Sequence, residues 1–375
     1  MEVEGILNSA AESYPMNGGD GPHSYTNNSA PQRRLIEASK ELIIEAIEEK
    51  LEIDSSSCVN GSKAFGIADL GCSVGNNTFI AVHNIIEAVE KKKAKKNDES
   101  NSSSLLEFQV FFNDHSNNDF NSLFRSLPYN DSSRSYYAAA VAGSFYGRLF
   151  PNSTLHFVNC SFALHWMSKL PKQILDRNSS AWNGNRIHYT SSSNAKVHEA
   201  YADEYKNGMK CFLKARAQEI VGGGLMLIVV PAIPTNSNDM SQIPQAFSYG
   251  LLESSFSEMV NLGYISEEKV ETFNVPHYFP TSKELEAIIK RNGNFSIEIM
   301  EILSRKMKFI KSSVEIVVGT MRAAMEELFR QHFGNEVLPH LFQSYTKKVE
   351  ENLDILDLKF SQHEDLFLIL KRKIN

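Results

Sequence analysis

An α/β fold is what this sequence predicts, with a mostly parallel sheet covered by helices on both faces and further helices forming a cap. Three observations point there. Strand and helix signals alternate through the middle of the chain, the order that builds parallel sheets through helical crossovers. The run Phe65-Gly66-Ile67-Ala68-Asp69-Leu70-Gly71-Cys72-Ser73-Val74-Gly75-Asn76-Asn77 is an apolar strand that empties into a small-residue turn and then a helix. The chain has 375 residues, 42% of them hydrophobic, enough to bury the core of two domains or of one domain carrying an insertion.

Taken in order, strands are expected over 65–70, 108–113, 154–160 and 225–230. After the first, Phe79, Val82, Ile85, Ile86 and Val89 recur at helical spacing. The basic run from Lys91 to Lys96 then meets Asn97-Asp98-Glu99 and several serines, which reads as a helix end fraying into a solvated loop. A helix over about 196–221 is expected to end at Gly222-Gly223-Gly224. Helical patterns follow over 247–262, 282–291 and 314–351, and late strands over 296–303 and 365–373 close the chain. The implied division is an N-terminal lid segment (1–45), a ligand-binding core (46–235), a mainly α-helical cap inserted around the late core strand at about 296–303 (236–350), and a return to the core with the final strand (351–375). Lid and cap would roof the carboxyl ends of the strands, where open α/β sheets bind ligands.

The formal net charge of -7 argues against a general nucleic-acid binder. No stretch approaches the roughly 20 apolar residues of a membrane span. The N-terminus, Met1-Glu2-Val3-Glu4, lacks the basic and apolar regions of a signal peptide, so a cytoplasmic protein is expected. Cys58, Cys72, Cys160 and Cys211 have no paired ligand spacing and read as free thiols.

The turn after the first strand sets the chemistry. Gly71 and Gly75 permit a tight turn and a close approach, and the following helix N-terminus favours negative charge. A dinucleotide fingerprint would need a third glycine at position 76, where Asn stands. A strand ending in Asp69 followed by Gly-x-x-x-Gly suits S-adenosylmethionine (SAM) instead, with Asp69 and the loop facing its ammonium and carboxylate. The second strand ends in Asn113-Asp114-His115 at the same sheet edge, an acid placed to take ribose hydroxyls. Gly143-Ser144-Phe145-Tyr146-Gly147-Arg148 supplies a hydroxyl, a backbone N–H and an aromatic face for adenine. The next strand delivers Ser161-Phe162-Ala163-Leu164-His165-Trp166, where His165 and Trp166 can each donate a hydrogen bond to an anionic acceptor.

Together these segments resemble the plant SABATH family of SAM-dependent methyltransferases, which act on carboxyl groups of small acids or on ring nitrogens of xanthines. The likeness runs through Tyr14-Pro15-Met16-Asn17-Gly18-Gly19, Ser24-Tyr25, Ala68-Asp69-Leu70-Gly71-Cys72-Ser73, Phe112-Asn113-Asp114, Asn118-Asp119-Phe120-Asn121, the segment from Gly143 to Arg148, and Phe273-Asn274-Val275-Pro276. Within the family, Leu164-His165-Trp166 and Arg186-Ile187-His188-Tyr189-Thr190 look most like the branch containing loganic acid methyltransferase. The resemblance implies a Rossmann-like class I methyltransferase sheet with an α-helical cap. It implies that Tyr25, Ser29, Asp69, Cys72 and Asn77 surround the methionine end of SAM, that Asp114 holds the ribose, and that His115, Ser144 and Phe145 frame the adenine. Gln32 and Trp166 would grip the acceptor carboxylate, with Phe162, His165, Tyr249 and His277 lining the pocket. Asn183, Glu271, Phe273 through its carbonyl, and Asn274 match positions that bind Mg²⁺ in some members, and a homodimer is implied by analogy.

The chain departs from the family at Val74 and Asn76, where relatives often have Ser and Pro, and at Phe162, often Tyr. Glu271 stands where Asp is common, and Tyr249 and His277 differ from what a glucosylated iridoid acid would require. The function implied is conversion of a small acid to its methyl ester by direct transfer without a general base. The alternative is N-methylation of a xanthine-like heterocycle, against which the Gln32 and Trp166 pair argues.

Overall fold

The computed structural model describes residues 14–52, 64–100, 106–127, 135–184, 186–234, 243–304, 313–360 and 363–374. Among them the strands β1 (Ala64–Leu70), β2 (Glu107–Asp114), β3 (Tyr136–Ala142), β4 (Leu155–Ser161), β5 (Ile220–Ala232), β6 (Phe295–Ser304) and β7 (Glu364–Arg372) form one sheet in the order β3-β2-β1-β4-β5-β7-β6. The first five run parallel, β7 pairs antiparallel with β5, and β6 pairs antiparallel with β7. Around the sheet lie α1 (Tyr25–Asn28), α2 (Ala30–Ala38), α3 (Lys40–Lys50), α4 (Asn76–Ser100), α5 (Phe120–Arg125), α6 (Ala195–Glu219), α7 (Pro244–Asn261), α8 (Glu267–Glu271), α9 (Ser282–Asn292), α10 (Ser313–Phe333), α11 (Leu338–Glu351) and α12 (Leu353–Phe360).

Strand side chains alternate between two faces, and both faces here are apolar. On β5, Leu225, Leu227 and Val229 join a core that includes Ile43 and Ile47 of α3 and Val82, Ile85 and Val89 of α4. The intervening Met226, Ile228 and Val230 join a second core with Tyr201, Met209 and Phe212 of α6 and Leu252 and Phe256 of α7. Burial on both sides explains why β5 and β7 read as continuous hydrophobic runs. The helices start and stop where the sequence supplies caps: Asp119 accepts from Ser122 N at the start of α5, Thr281 and Glu284 form a capping box on α9, and Gly293 ends α9 at φ 77°.

Several expectations need correcting. β3 lies where no strand was expected, because Tyr136-Tyr137-Ala138-Ala139-Ala140 is an alanine-rich edge segment with Tyr137 exposed, so it carries no apolar run. Helix α6 stops at Glu219, and Gly222, Gly223 and Gly224 fall inside β5. There the β4–β5 register slips between Leu155 and Phe157, and Gly223 sits at φ 81°, so the glycines form an irregularity in the strand. Lys91 to Lys96 is not a frayed end, since α4 continues to Ser100. Lys92 donates to the carbonyls of Ile47, Glu48 and Leu51, closing the C-terminus of α3. The helical pattern over 314–351 is two helices, α10 and α11, separated by a turn with Gly334 at φ 92°.

Strand order reverses between β1 and β4, the switch point at which the carboxyl ends of an open sheet leave a crevice. The ends of β1, β2 and β4 carry Asp69, Asp114 and Ser161 to that edge.

Candidate active site

The loop after β1 is held open by backbone geometry. Gly71, Ser73 and Gly75 have φ of 76°, 51° and 96°. A Cβ on Gly71 would come within 2.5 Å of the Ala163 Cβ, and one on Gly75 within 2.9 Å of the Thr26 Cα. Gly71 N and Cys72 N donate to the Asn113 carbonyl at 2.8 and 2.9 Å, and the Asn113 amide donates to the carbonyls of Val141 and Gly143 at 2.8 and 2.9 Å. One buried asparagine therefore ties together the ends of β1, β2 and β3. Asp114 accepts from Ser73 N and from its neighbour His115 N, both at 2.7 Å, and burial raises its carboxyl above the usual range.

Asp69 is buried beneath this loop. Its two oxygens accept from the Thr78 hydroxyl and, at 2.6 Å, from Asn159 Nδ2, while Ser161 donates to Asn159 Oδ1 at 2.8 Å. Burial lifts its pKa to about 6 against those two hydrogen bonds, with the nearby Asp114 adding to the rise.

Across the edge, residues 165–167 pair with 276–278. Met167 N donates to Pro276 O and Tyr278 N to His165 O, both at 2.8 Å, and Trp166 bridges His277. The Trp166 and His277 rings meet edge to face at 4.0 Å. Tyr146 OH donates to the Trp166 carbonyl at 2.7 Å. Tyr249 Oη lies 2.6 Å from His277 Nδ1, and His188 Nε2 lies 2.9 Å from the His277 carbonyl. Burial, reinforced by neighbouring histidines, holds His277 well below the usual imidazole range and His188 at about 3, so both rings are neutral at physiological pH.

These two sides enclose one cavity of about 270 Å³. Gly71, Ser73, Asp114, His115 and Phe145 line it on the sheet edge, and Tyr14, Met16, Tyr25 and Gln32 on the N-terminal segment. Phe162, His165, Trp166, Tyr249 and His277 line it with Met321 and Met325 of α10, Tyr345 of α11, and Gln245 and His363. A mostly apolar chamber that holds a carboxylate at a strand end and hydrogen-bonding groups opposite suits a transfer between two small molecules.

A family model described as SAM dependent carboxyl methyltransferase matches residues 11–373. The chain belongs to that family, the SABATH methyltransferases. The methyltransferase is 46% identical to loganic acid O-methyltransferase from Catharanthus roseus over 369 residues, covering 98% of this chain and 97% of that protein. It is 41% identical to farnesoic acid carboxyl-O-methyltransferase from Arabidopsis thaliana over 349 residues, covering 91% of this chain and 94% of the other. A solved structure of loganic acid methyltransferase with SAH matches at a TM-score of 0.90 and 46% identity, over 96% of this chain and 99% of that one. The sheet is thus the class I methyltransferase sheet that the resemblance implied. The enzyme is a SAM-dependent carboxyl methyltransferase.

Of the positions assigned to SAM, the methyltransferase brings Tyr25, Asp114, His115 and Phe145 to the cavity wall. Asp69, Cys72, Ser29, Asn77 and Ser144 are not among its lining residues. Asn77 donates to the Ser29 carbonyl and hydroxyl at 3.1 and 3.0 Å, the Cys72 thiol is buried, and Ser144 Oγ accepts from Tyr146 N at 3.3 Å. All six acceptor-side positions line the cavity. Asn183, Glu271, Phe273 and Asn274 lie away from it. Asn183 donates to Asn274 Oδ1 at 2.7 Å, Glu271 is paired with Arg177, and the Phe273 ring packs against Phe256, Phe329 and Phe333. Among the described residues no group of three His, Cys, Asp or Glu could hold a metal.

Sequence reasoning missed Ser73 as a lining residue, and it did not foresee the left-handed backbone of Ser73 at φ 51° or of Phe162 at φ 56°, which only the fold displays. It also missed Tyr345, Gln245 and His363, which come from three separate segments of the chain and carry no local motif. Among the described residues no helix is long and apolar enough to cross a membrane, and Cys72, Cys160 and Cys211 are free thiols.

Proposed function

We propose that the enzyme transfers the methyl group of SAM directly to the carboxylate of a small acid of plant metabolism, giving its methyl ester, with no general base. The observation that carries this reading is the single cavity in which Asp114 and the loop at Gly71 and Ser73 face Gln32, His165 and Trp166. Bound SAM supplies an electrophilic methyl on a sulfonium. Asp114, already ordered by two backbone N–H groups, keeps lone pairs for a ribose diol, and Phe145 offers its ring to the adenine. Gln32 and Trp166 would hold one oxygen of the acceptor carboxylate, leaving the other in line with the methyl.

A carboxylate with a pKa near 4 is ionised at neutral pH, so nothing has to remove a proton. The surroundings support this. Burial keeps His277 neutral and holds Tyr249 well above the usual phenol range, so neither is poised as a base near pH 7. Charge is neutralised in the transition state, a change favoured where the bound substrates displace water from the cavity. In the same proposal the N-terminal segment is a lid, α7, α10 and α11 form the cap over the core, and the enzyme works as a cytoplasmic homodimer. Magnesium has no place in it, because Arg177 puts a guanidinium on the one carboxylate of that set.

The test is radiolabelled methyl transfer with purified protein and a panel of terpenoid, aromatic, fatty and indolic acids beside xanthines, counting base-labile product separately. Base-labile label from an acid is expected. Trp166→Ala and Gln32→Ala should each cut kcat/KM for that acid by about 10-fold or more while SAM binding, measured by calorimetry, is unchanged. Label only in base-stable product from xanthines, or unchanged turnover in both variants, overturns the reading.

A further inference from the structure

Several residues that line the cavity carry a buried polar atom that makes no hydrogen bond: Gln32 Oε1 and Ser73 Oγ on the side of the sheet edge and N-terminal segment, and Nε2 of His277, the hydroxyl of Tyr345 and Oε1 of Gln245 on the opposite wall. Native interiors leave few such groups unpaired, so their collection in one chamber points to a ligand. The polarities on that opposite wall are set from behind. Tyr249 finds a partner only in His277 Nδ1 among the described residues, and donating its proton there is what satisfies that buried hydroxyl. The neutral imidazole must then carry its own proton on Nε2 and present a donor. Gln245 Nε2 lies 3.3 Å from His363 Nδ1, and His363 Nε2 lies 3.3 Å from Asp365 Oδ1. With His363 Nδ1 as the acceptor of the Gln245 amide, Oε1 of Gln245 is left as an acceptor for a ligand. Tyr345 is fully buried on α11, and α11 packs on α7, which carries Gln245 and Tyr249.

Resting on the carboxyl-methylating reading above, we infer that this wall is a polar subsite. The Nε2–H of His277, the Tyr345 hydroxyl and the Gln245 oxygen select acids that carry hydroxyl or carbonyl oxygens away from the carboxylate over hydrocarbon acids of the same size. A hydrocarbon body would cover all three atoms without bonding to any. Sites built to bond a hydroxyl reject the analogue lacking it far more strongly than apolar pockets reject a missing methylene.

The experiment takes the acid methylated most efficiently in the panel and a matched acid differing only in the oxygen functions of its body. Ester formation is followed with the full-length enzyme and its Tyr345→Phe and Gln245→Leu variants, with Tyr249→Phe as a third that removes only the hydroxyl orienting His277. Wild type should favour the oxygenated acid by about 10-fold or more in kcat/KM, mainly through KM. Each variant should bring that ratio toward one, chiefly through loss of turnover of the oxygenated acid, while the affinity for SAM holds steady, which general damage to the fold would not do. A best acid with no oxygen beyond its carboxylate, equal use of the matched pair, or a ratio unchanged in all three variants overturns the subsite and leaves ester formation standing. Label found only in base-stable product from a nitrogen heterocycle overturns both.

Discussion

Asp69 is buried and its two oxygens accept from Thr78 and Asn159, so its pKa is set chiefly by its burial in the fold. The folded value, about 6, lies above the ordinary 3.8, so between those values the native state holds a proton that the unfolded chain has lost. Stability from this group is therefore present below about pH 4 and falls as pH rises toward 6. At roughly 1.4 kcal/mol for each tenfold change in proton affinity, the loss is about 3 kcal/mol. Asp69→Asn should remove that dependence, so the variant gains on wild type by that order between pH 4 and 6 in urea unfolding. Parallel curves would show that the carboxyl is not buried as described. Gly75 gives a second prediction. Alanine there meets Thr26 at under 3 Å on a backbone with φ of 96°, and Gly75→Ala should cost about 1–3 kcal/mol and weaken SAM binding, read by melting temperature and calorimetry.

Among the elements, α6 does more than cover the sheet. Arg216 and Glu219 near its end form an ion pair with no solvent exposure. Arg216 also donates to the carbonyls of Phe145 and Gly147 at 2.7 and 2.9 Å, and Glu219 accepts from the backbone N–H groups of Leu149 and Phe150 at 2.6 and 3.0 Å. The pair holds the loop that brings Phe145 to the cavity. Arg216→Met leaves a buried carboxylate uncompensated and should destabilise the enzyme by about 3–5 kcal/mol. Under conditions where the variant stays folded, SAM affinity should also fall, because Phe145 loses its support. Normal stability with normal affinity would contradict both statements. Neither role was legible in the sequence, where Arg216 and Glu219 look like an ordinary i,i+3 pair on a helix surface.

Over the whole molecule, the N-terminal segment joins parts of the chain far apart in sequence. Asn17 N donates to the Ala323 carbonyl at 2.9 Å, Thr320 Oγ1 donates to Asn28 O at 3.0 Å, and Gly19 N donates to Asp119 Oδ2 at 3.0 Å. Asn77 completes the latch onto Ser29. Loosening it with Asp119→Ala should speed release of S-adenosylhomocysteine and raise KM for both substrates with a smaller change in kcat, measurable by stopped-flow displacement and initial rates. Unchanged release would mean that the segment does not gate the cavity.

The sequence determined what local chemistry can encode. The β1 run and its glycine turn, the acid closing β2, the period-3.6 face of α4 and the apolar runs of β5 and β7 each announce themselves, because burial on one or both faces forces a pattern within a few residues. Tertiary structure decided what depends on partners distant along the chain. It buried Asp69, set the three glycines into β5, and seated the residues named for a metal away from the cavity. It also brought His277, Tyr345, Gln245 and His363 to one wall. No short window of sequence specifies these, since a side chain's partner, and with it its tautomer and charge, is fixed only when strand order and helix packing bring separated segments into contact.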